Sequence, residues 1–184
     1  HSQAINSLGD PMTAPLRHDY ACGVGGGPAN GGRLAKDGQL WVLDVGPAYR
    51  GYFADSCRTF AVNRQPTDPQ YEAWQAIVGV FAIVESLARP GVKCRDLCTA
   101  VDEHLKETLG MPMPHHLGHG VGLYPHEFPH INPRWDDTLL EGEIFTLEPG
   151  RYHASINTAM RIENMYLVTS HGVRNLVHFP VDLD

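Results

Sequence analysis

The amino-acid sequence predicts an α+β domain, and three features point to it. Residues 41–60, WVLDVGPAYRGYFADSCRTF, are rich in aromatic and β-branched residues and reverse at glycine, which reads as an antiparallel strand pair. Two amphipathic helical stripes follow, at 69–89 and 94–109. Strand-like runs then return at 144–148 and 160–169. Strands and helices grouped in this way suit helices packed on one face of an antiparallel sheet.

Taken in order, residues 1–38 show little periodicity and contain the glycine-rich run GVGGGPANGG. That run lacks the Lys-Ser/Thr pair and following helix of a phosphate-binding loop, so it reads as a loop within an irregular segment. Lys36-Asp37-Gly38 is a turn into the first strand. In the hairpin, a two-residue loop at Tyr49-Arg50 would set Asp44 directly across from Asp55. Opposed carboxylates on neighbouring strands sit roughly 5 Å apart and repel. Taken alone, the pair reads either as turn aspartates in solvent or as two ligands of a metal ion.

Thr67 or Asp68 caps the first helix, with Pro69 in its first turn. Trp74, Ile77, Val78, Phe81, Val84 and Leu87 lie near its apolar stripe, and Arg89-Pro90-Gly91 ends it. The second helix presents Leu97, Val101 and Leu105, with Gly110 as its stop. Residues 111–133 read as a histidine- and glycine-rich loop. The strand at 144–148 is broken by Pro149-Gly150, and the strand at 160–169 leads through His171-Gly172 to a short tail.

The chain has 184 residues, 42% of them hydrophobic, enough for one core and one domain over 39–184. A net charge of −7 with no block of lysine or arginine argues against a nucleic-acid surface. No apolar run approaches the roughly 18 residues that span a membrane, and the N-terminus lacks a signal-peptide hydrophobic region. Four scattered cysteines, Cys22, Cys57, Cys94 and Cys98, form no disulfide framework and read as small core residues. That usage suits a reducing compartment, and a cytoplasmic location is expected.

Four separated segments each place an acid or imidazole beside glycine or at a strand end. They hold Asp44 and Asp55, then His119 in HLGHGVGL, Glu148 in TLEPG and Glu163 in RIEN. Singly, each suits a turn, a loop or a surface pair. Together they supply four carboxylates and one imidazole, an oxygen-rich set with room for two divalent ions. Four carboxylates gather in a half-buried site only when positive charge neutralises them.

The succession LDVG, YRGYFAD, RTF, HHLGHGVGLYPHE, FTLEPGRY and MRIEN resembles the metallopeptidases of the pita-bread fold, which include aminopeptidase P, prolidase, methionine aminopeptidase and creatinase. The likeness runs from about Lys36 to the C-terminus. It implies a curved antiparallel sheet with helices on its outer face, here N-terminally truncated, with 1–38 a remnant of the catalytic domain. It implies that Asp44, Asp55, His119, Glu148 and Glu163 are metal ligands, with Asp55 and Glu163 bridging two divalent ions. Manganese is the expected metal, with cobalt, zinc or iron as alternatives. The implied chemistry is attack of a metal-bridging hydroxide on a peptide carbonyl, with Glu148 moving the proton and His115 and His126 contacting substrate and the developing oxyanion. His104, His116 and His130 match no ligand position and read as surface or structural residues.

Arg161 before Ile162-Glu163 resembles aminopeptidase P and prolidase rather than methionine aminopeptidase, and is assigned to substrate binding. Hydrolysis of Xaa-Pro bonds in peptides or dipeptides is the expected activity, and a homodimer is a further expectation from the family. A substrate-binding histidine usual upstream of Asp44 is replaced by Gly26 and Gly27. The alternatives are a non-catalytic domain that binds peptide or protein, and a methionine aminopeptidase-type activity.

Overall fold

A computed structural model describes residues 17–22 and 35–183. The glycine-rich run, with Gly26 and Gly27, lies outside the described residues. Among the described residues, twelve strands and two α-helices appear in the order β1 (Arg17–Cys22), β2 (Leu40–Gly46), β3 (Ala48–Tyr49), β4 (Tyr52–Phe53), β5 (Ser56–Ala61), α1 (Asp68–Leu87), α2 (Cys94–Leu109), β6 (Gly118–Gly120), β7 (Glu127–Ile131), β8 (Ile144–Leu147), β9 (Gly150–His153), β10 (Thr158–Arg161), β11 (Asn164–Val168) and β12 (Val173–Asn175), with a short 3-10 turn at Ala154–Ile156. Every strand pairing among the described residues is antiparallel. One sheet has the order β1-β2-β5 and a larger one β12-β11-β8-β6-β7, with two-stranded pairs β9-β10 and β3-β4 beside them. This is the α+β arrangement expected, and residues 17–22, placed by the sequence in an irregular segment, form a strand held by a continuous ladder to β2.

The hairpin differs from expectation in register. Its reversal falls at Arg50-Gly51, which take φ of +52° and +84°, rather than at Tyr49-Arg50. Tight hairpins need left-handed backbone at both central positions, and glycine supplies the second without strain. The ladder therefore shifts, and Asp44 pairs with Cys57, not Asp55. Side chains two apart on a strand share a face, so Asp55 stands diagonal to Asp44 on the same side of the sheet.

Helix α1 opens with a capping box. The Thr67 hydroxyl accepts from the Gln70 amide, and the Gln70 side chain accepts in return from the Thr67 amide. Helix α2 ends where the sequence places its stop, at Gly110 with φ +74°. Ala73, Ile77, Val80 and Val84 of α1 and Leu97, Val101 and Leu105 of α2 share one core with Phe145, Leu147 and Tyr166 of the larger sheet. Cys94 and Cys98 are buried free thiols in that core. No helix among the described residues is long and apolar enough to cross a membrane.

Two other expectations change. Residues 160–169 are not one strand: β10 ends at Arg161 and β11 begins at Asn164. Between them Glu163 forms an isolated bridge to Cys57, its amide donating to the Cys57 carbonyl at 2.9 Å. The chain leaves one sheet for another there, and the long-range bond replaces a continuing ladder. Residues 111–133 are not all loop, because β6 and β7 pair within them.

Candidate metal centre

Strands β2, β5 and β6 and the ends of β8 and β10 converge on one cavity of about 570 Å³. Its walls include Asp44, Asp55, His119, Glu148, Arg161 and Glu163, together with His116 and His126. Ligand atoms of Asp44, Asp55 and Glu163 lie within 4.8 Å of one another, as do those of His116, His119 and Glu148, and those of Asp55, His119 and His126. The five sequence-predicted ligands thus meet at one place.

Local structure explains how each arrives. His119 sits mid-strand in β6, which runs between β7 and β8. A Cβ on Gly118 would fall on the Thr146 carbonyl, and one on Gly120 on the Phe128 carbonyl. Only glycines allow β6 so close to its neighbours, and this is the physical meaning of the glycines flanking His119. The His119 Nδ1–H donates to the Gly120 carbonyl at 3.0 Å. That fixes the tautomer and leaves the Nε2 lone pair towards Glu148 Oε1, 3.5 Å away, and Asp55 Oδ2, 3.9 Å away. Glu163 reaches the same point because its backbone is bridged to Cys57.

The electrostatics are those of a cation site. Glu163 is 2% exposed, His119 3% and Glu148 9%, so these are not solvated surface groups. Burial first, and then the charges of Asp44 and Glu148, push the Asp55 carboxyl up to about 8. Burial, with Asp55 and Glu148 nearby, raises Glu163 well above the carboxylate range. Burial also raises Glu148, but its hydrogen bond from His116 and the surrounding imidazoles outweigh that and leave it lowered. Burial pulls His119 down to about 4, against the field of Glu148, so its imidazole is neutral as a metal ligand must be. Arg161 pairs with Asp44 through Nη2 and donates from Nη1 to the Tyr152 hydroxyl at 2.9 Å. One guanidinium leaves most of this negative charge uncompensated. The donor set fits divalent cations, with Asp44, Asp55, His119, Glu148 and Glu163 as holders.

The remaining histidines separate. His126 is exposed and lies flat against His119, with centroids 3.7 Å apart. His115 does not line the cavity. Its Nδ1–H donates to the His116 carbonyl at 2.7 Å, leaving Nε2 to accept from the Tyr152 hydroxyl at 3.1 Å. His116 does line it, with Nε2 2.8 Å from Glu148 Oε1, which corrects its reading as a surface or structural residue. In the pair His115-His116 only the chain path decides which ring faces inward, and the sequence carries no signal of it. His104 bonds the Ala76 carbonyl between the helices and His130 bonds Asp137, both structural as expected. Tyr152 was also missed. Its alternation with Gly150 after TLEPG was the available signal.

Antiparallel sheets that gather a cluster of buried acids and a neutral imidazole into one cavity, with helices packed beside them, define the pita-bread fold class. The model of metallopeptidase family M24 matches residues 18–170, and the chain belongs to that family. An Xaa-Pro dipeptidase of Pyrococcus furiosus is 36% identical over 141 residues, covering 76% of this chain and 40% of its own length. The structure of prolidase from Pyrococcus furiosus matches with a TM-score of 0.81 at 32% identity, over 89% of this chain and 49% of that one. X-Pro aminopeptidase from Thermotoga maritima matches with a TM-score of 0.85 at 26% identity, over 98% of this chain and 52% of that one. The chain spans about half the length of the relatives it matches.

Proposed function

We propose that this chain forms the catalytic part of a peptidase that uses two divalent ions to hydrolyse Xaa-Pro bonds in peptides or dipeptides. The observation that carries the reading is the adjacency, in one cavity, of the all-carboxylate group Asp44, Asp55 and Glu163 to the group containing His119 and Glu148. Its likeness to an Xaa-Pro dipeptidase, a prolidase and an X-Pro aminopeptidase supports the Xaa-Pro specificity.

When bound, the ions supply Lewis acidity that activates water and polarises the scissile carbonyl. The protein's own residues do the rest. Asp55, which belongs to two of the candidate ligand groups, and Glu163 beside it would hold the ions together with Asp44, His119 and Glu148. Glu148, held ionised, accepts a proton from the attacking water and passes it to the leaving nitrogen. His126, exposed at the cavity, donates to the developing oxyanion. Arg161 orients substrate while holding Asp44, and His115 steadies Arg161 through the Tyr152 hydroxyl. Manganese is the proposed native metal at the all-carboxylate position, where every donor is oxygen.

The test is release of the first residue from Xaa-Pro dipeptides and longer Xaa-Pro peptides by the purified chain, with Mn²⁺, Co²⁺ or Zn²⁺ added in turn. Cleavage with any of these supports the reading. Metal uptake without cleavage of either substrate class refutes it in favour of a binding domain.

A further inference from the structure

The cavity lining divides by donor chemistry. Asp44, Asp55 and Glu163 offer oxygen alone, whereas His116, His119 and Glu148 offer two imidazoles and one carboxylate. Building on the dinuclear reading above, we propose that His116 is a sixth protein ligand. It turns the position beside His119 into a nitrogen-rich site for a borderline metal such as zinc, cobalt or iron.

The geometry carries this. His116 Nε2 lies 2.8 Å from Glu148 Oε1, and His119 Nε2 lies 3.5 Å from the same oxygen. An ion with bonds of about 2.1 Å holds adjacent donors about 3.0 Å apart at right angles and about 3.4 Å apart at tetrahedral angles. Both separations fall close to that interval. The His116 and His119 rings meet edge to face at 84°, so neither covers the other's donor nitrogen. His116 is half-buried, and a bound ion would take the place of the proton that its Nε2 shares with Glu148. The consequence is asymmetry: one oxygen-only position and one with two imidazoles, which favours zinc or cobalt over manganese at the second.

X-ray absorption on the whole chain loaded with two equivalents of Co²⁺ counts imidazoles per metal pair without reference to activity. Two are expected in the wild type and one in His116→Gln, which keeps a hydrogen-bond donor for Glu148. The Zn²⁺-over-Mn²⁺ affinity ratio, from calorimetry, should fall by about tenfold or more in that variant. One imidazole in the wild type, a count needing no folded variant, overturns the proposal and leaves the dinuclear reading standing. Two imidazoles retained in His116→Gln also overturn it, assigning the second to His126. A wild-type chain that takes up no Co²⁺ overturns both readings.

Discussion

Arg58 of β5 and Asp55, the residue just before that strand, carry charge of opposite sign on opposite sides of the chain, and the two are treated differently. Arg58 is 4% exposed, and its guanidinium reaches five acceptors: the carbonyls of Cys57, Glu163, Phe179 and Pro180 and the Asn164 side chain, at 2.6–2.9 Å. Asp55, three residues earlier, faces Asp44 and Glu163. A buried cation surrounded by carbonyls is complete within the chain, and it pins the tail to the Glu163 backbone. A buried cluster of acids is not, and it calls for cations from outside. The first arrangement closes on itself and the second is a candidate cation site, although only two residues separate them in the chain.

The comparison can be broken from either side. Asp55→Ala should give the largest effect on chemistry. Hydrolysis of an Xaa-Pro dipeptide should fall by more than the roughly 10–100-fold typical of losing an outer-shell partner, with at least one metal equivalent lost on elemental analysis. Stability of the chelated protein should change little or rise, since a partly buried carboxyl that must take up a proton to sit there is removed. Arg58→Met should do the reverse. Several carbonyls lose their donor at about 1–3 kcal/mol each, so urea unfolding should show a loss of at least about 3 kcal/mol. An Arg58→Met protein of unaltered stability would mean the tail and Glu163 are held by something else.

pH sharpens the same contrast. In chelated protein Asp55 and Glu163 hold protons that the unfolded chain releases near pH 4, because burial and the mutual repulsion of the acids raise both. Raised folded-state carboxyls stabilise below the unfolded value, and that stability is lost as pH rises through about 8 for Asp55. Above about pH 6.5, where the lowered His119 and His115 are neutral in both states, chelated protein should therefore melt at progressively lower temperature up to pH 8, while Mn²⁺-loaded protein should not. Parallel curves with and without metal would remove the acid cluster as a cation site.

Two smaller effects separate backbone from core. Gly120→Ala drives a methyl into the Phe128 carbonyl, so β6 must shift and His119 with it. Weaker metal binding by calorimetry is expected along with lower stability. Leu97→Ala, in the helical core, should cost about 2–5 kcal/mol and leave metal stoichiometry unchanged. Loss of metal in Leu97→Ala would show that the site depends on the helix layer as well as on the strands.

The local elements were legible because local chemistry sets them. Helix α2 runs over the predicted residues, since its apolar spacing and its glycine stop need no distant partner. Helix α1 begins at its capping box and stops two residues short of expectation. The four acids and one imidazole of the candidate site could be named because, although each alone suits a turn or a surface pair, together they make one oxygen-rich donor set beside glycines and strand ends. What the sequence left open depended on partners far along the chain. Asp44 faces Cys57 because two left-handed residues set the hairpin turn, and the break before Asn164 exists because Glu163 bonds Cys57 in another sheet.

The sequence by itself determined the fold class, the helices and the chemical kind of the site, since spacing, caps and glycine-flanked donors are local properties. Only the tertiary structure decided the diagonal placement of Asp44 and Asp55, the inward turn of His116, and the retreat of His115 behind Tyr152. Those depend on which backbones lie side by side, and strand register and chain path are settled by contacts that no local stretch contains.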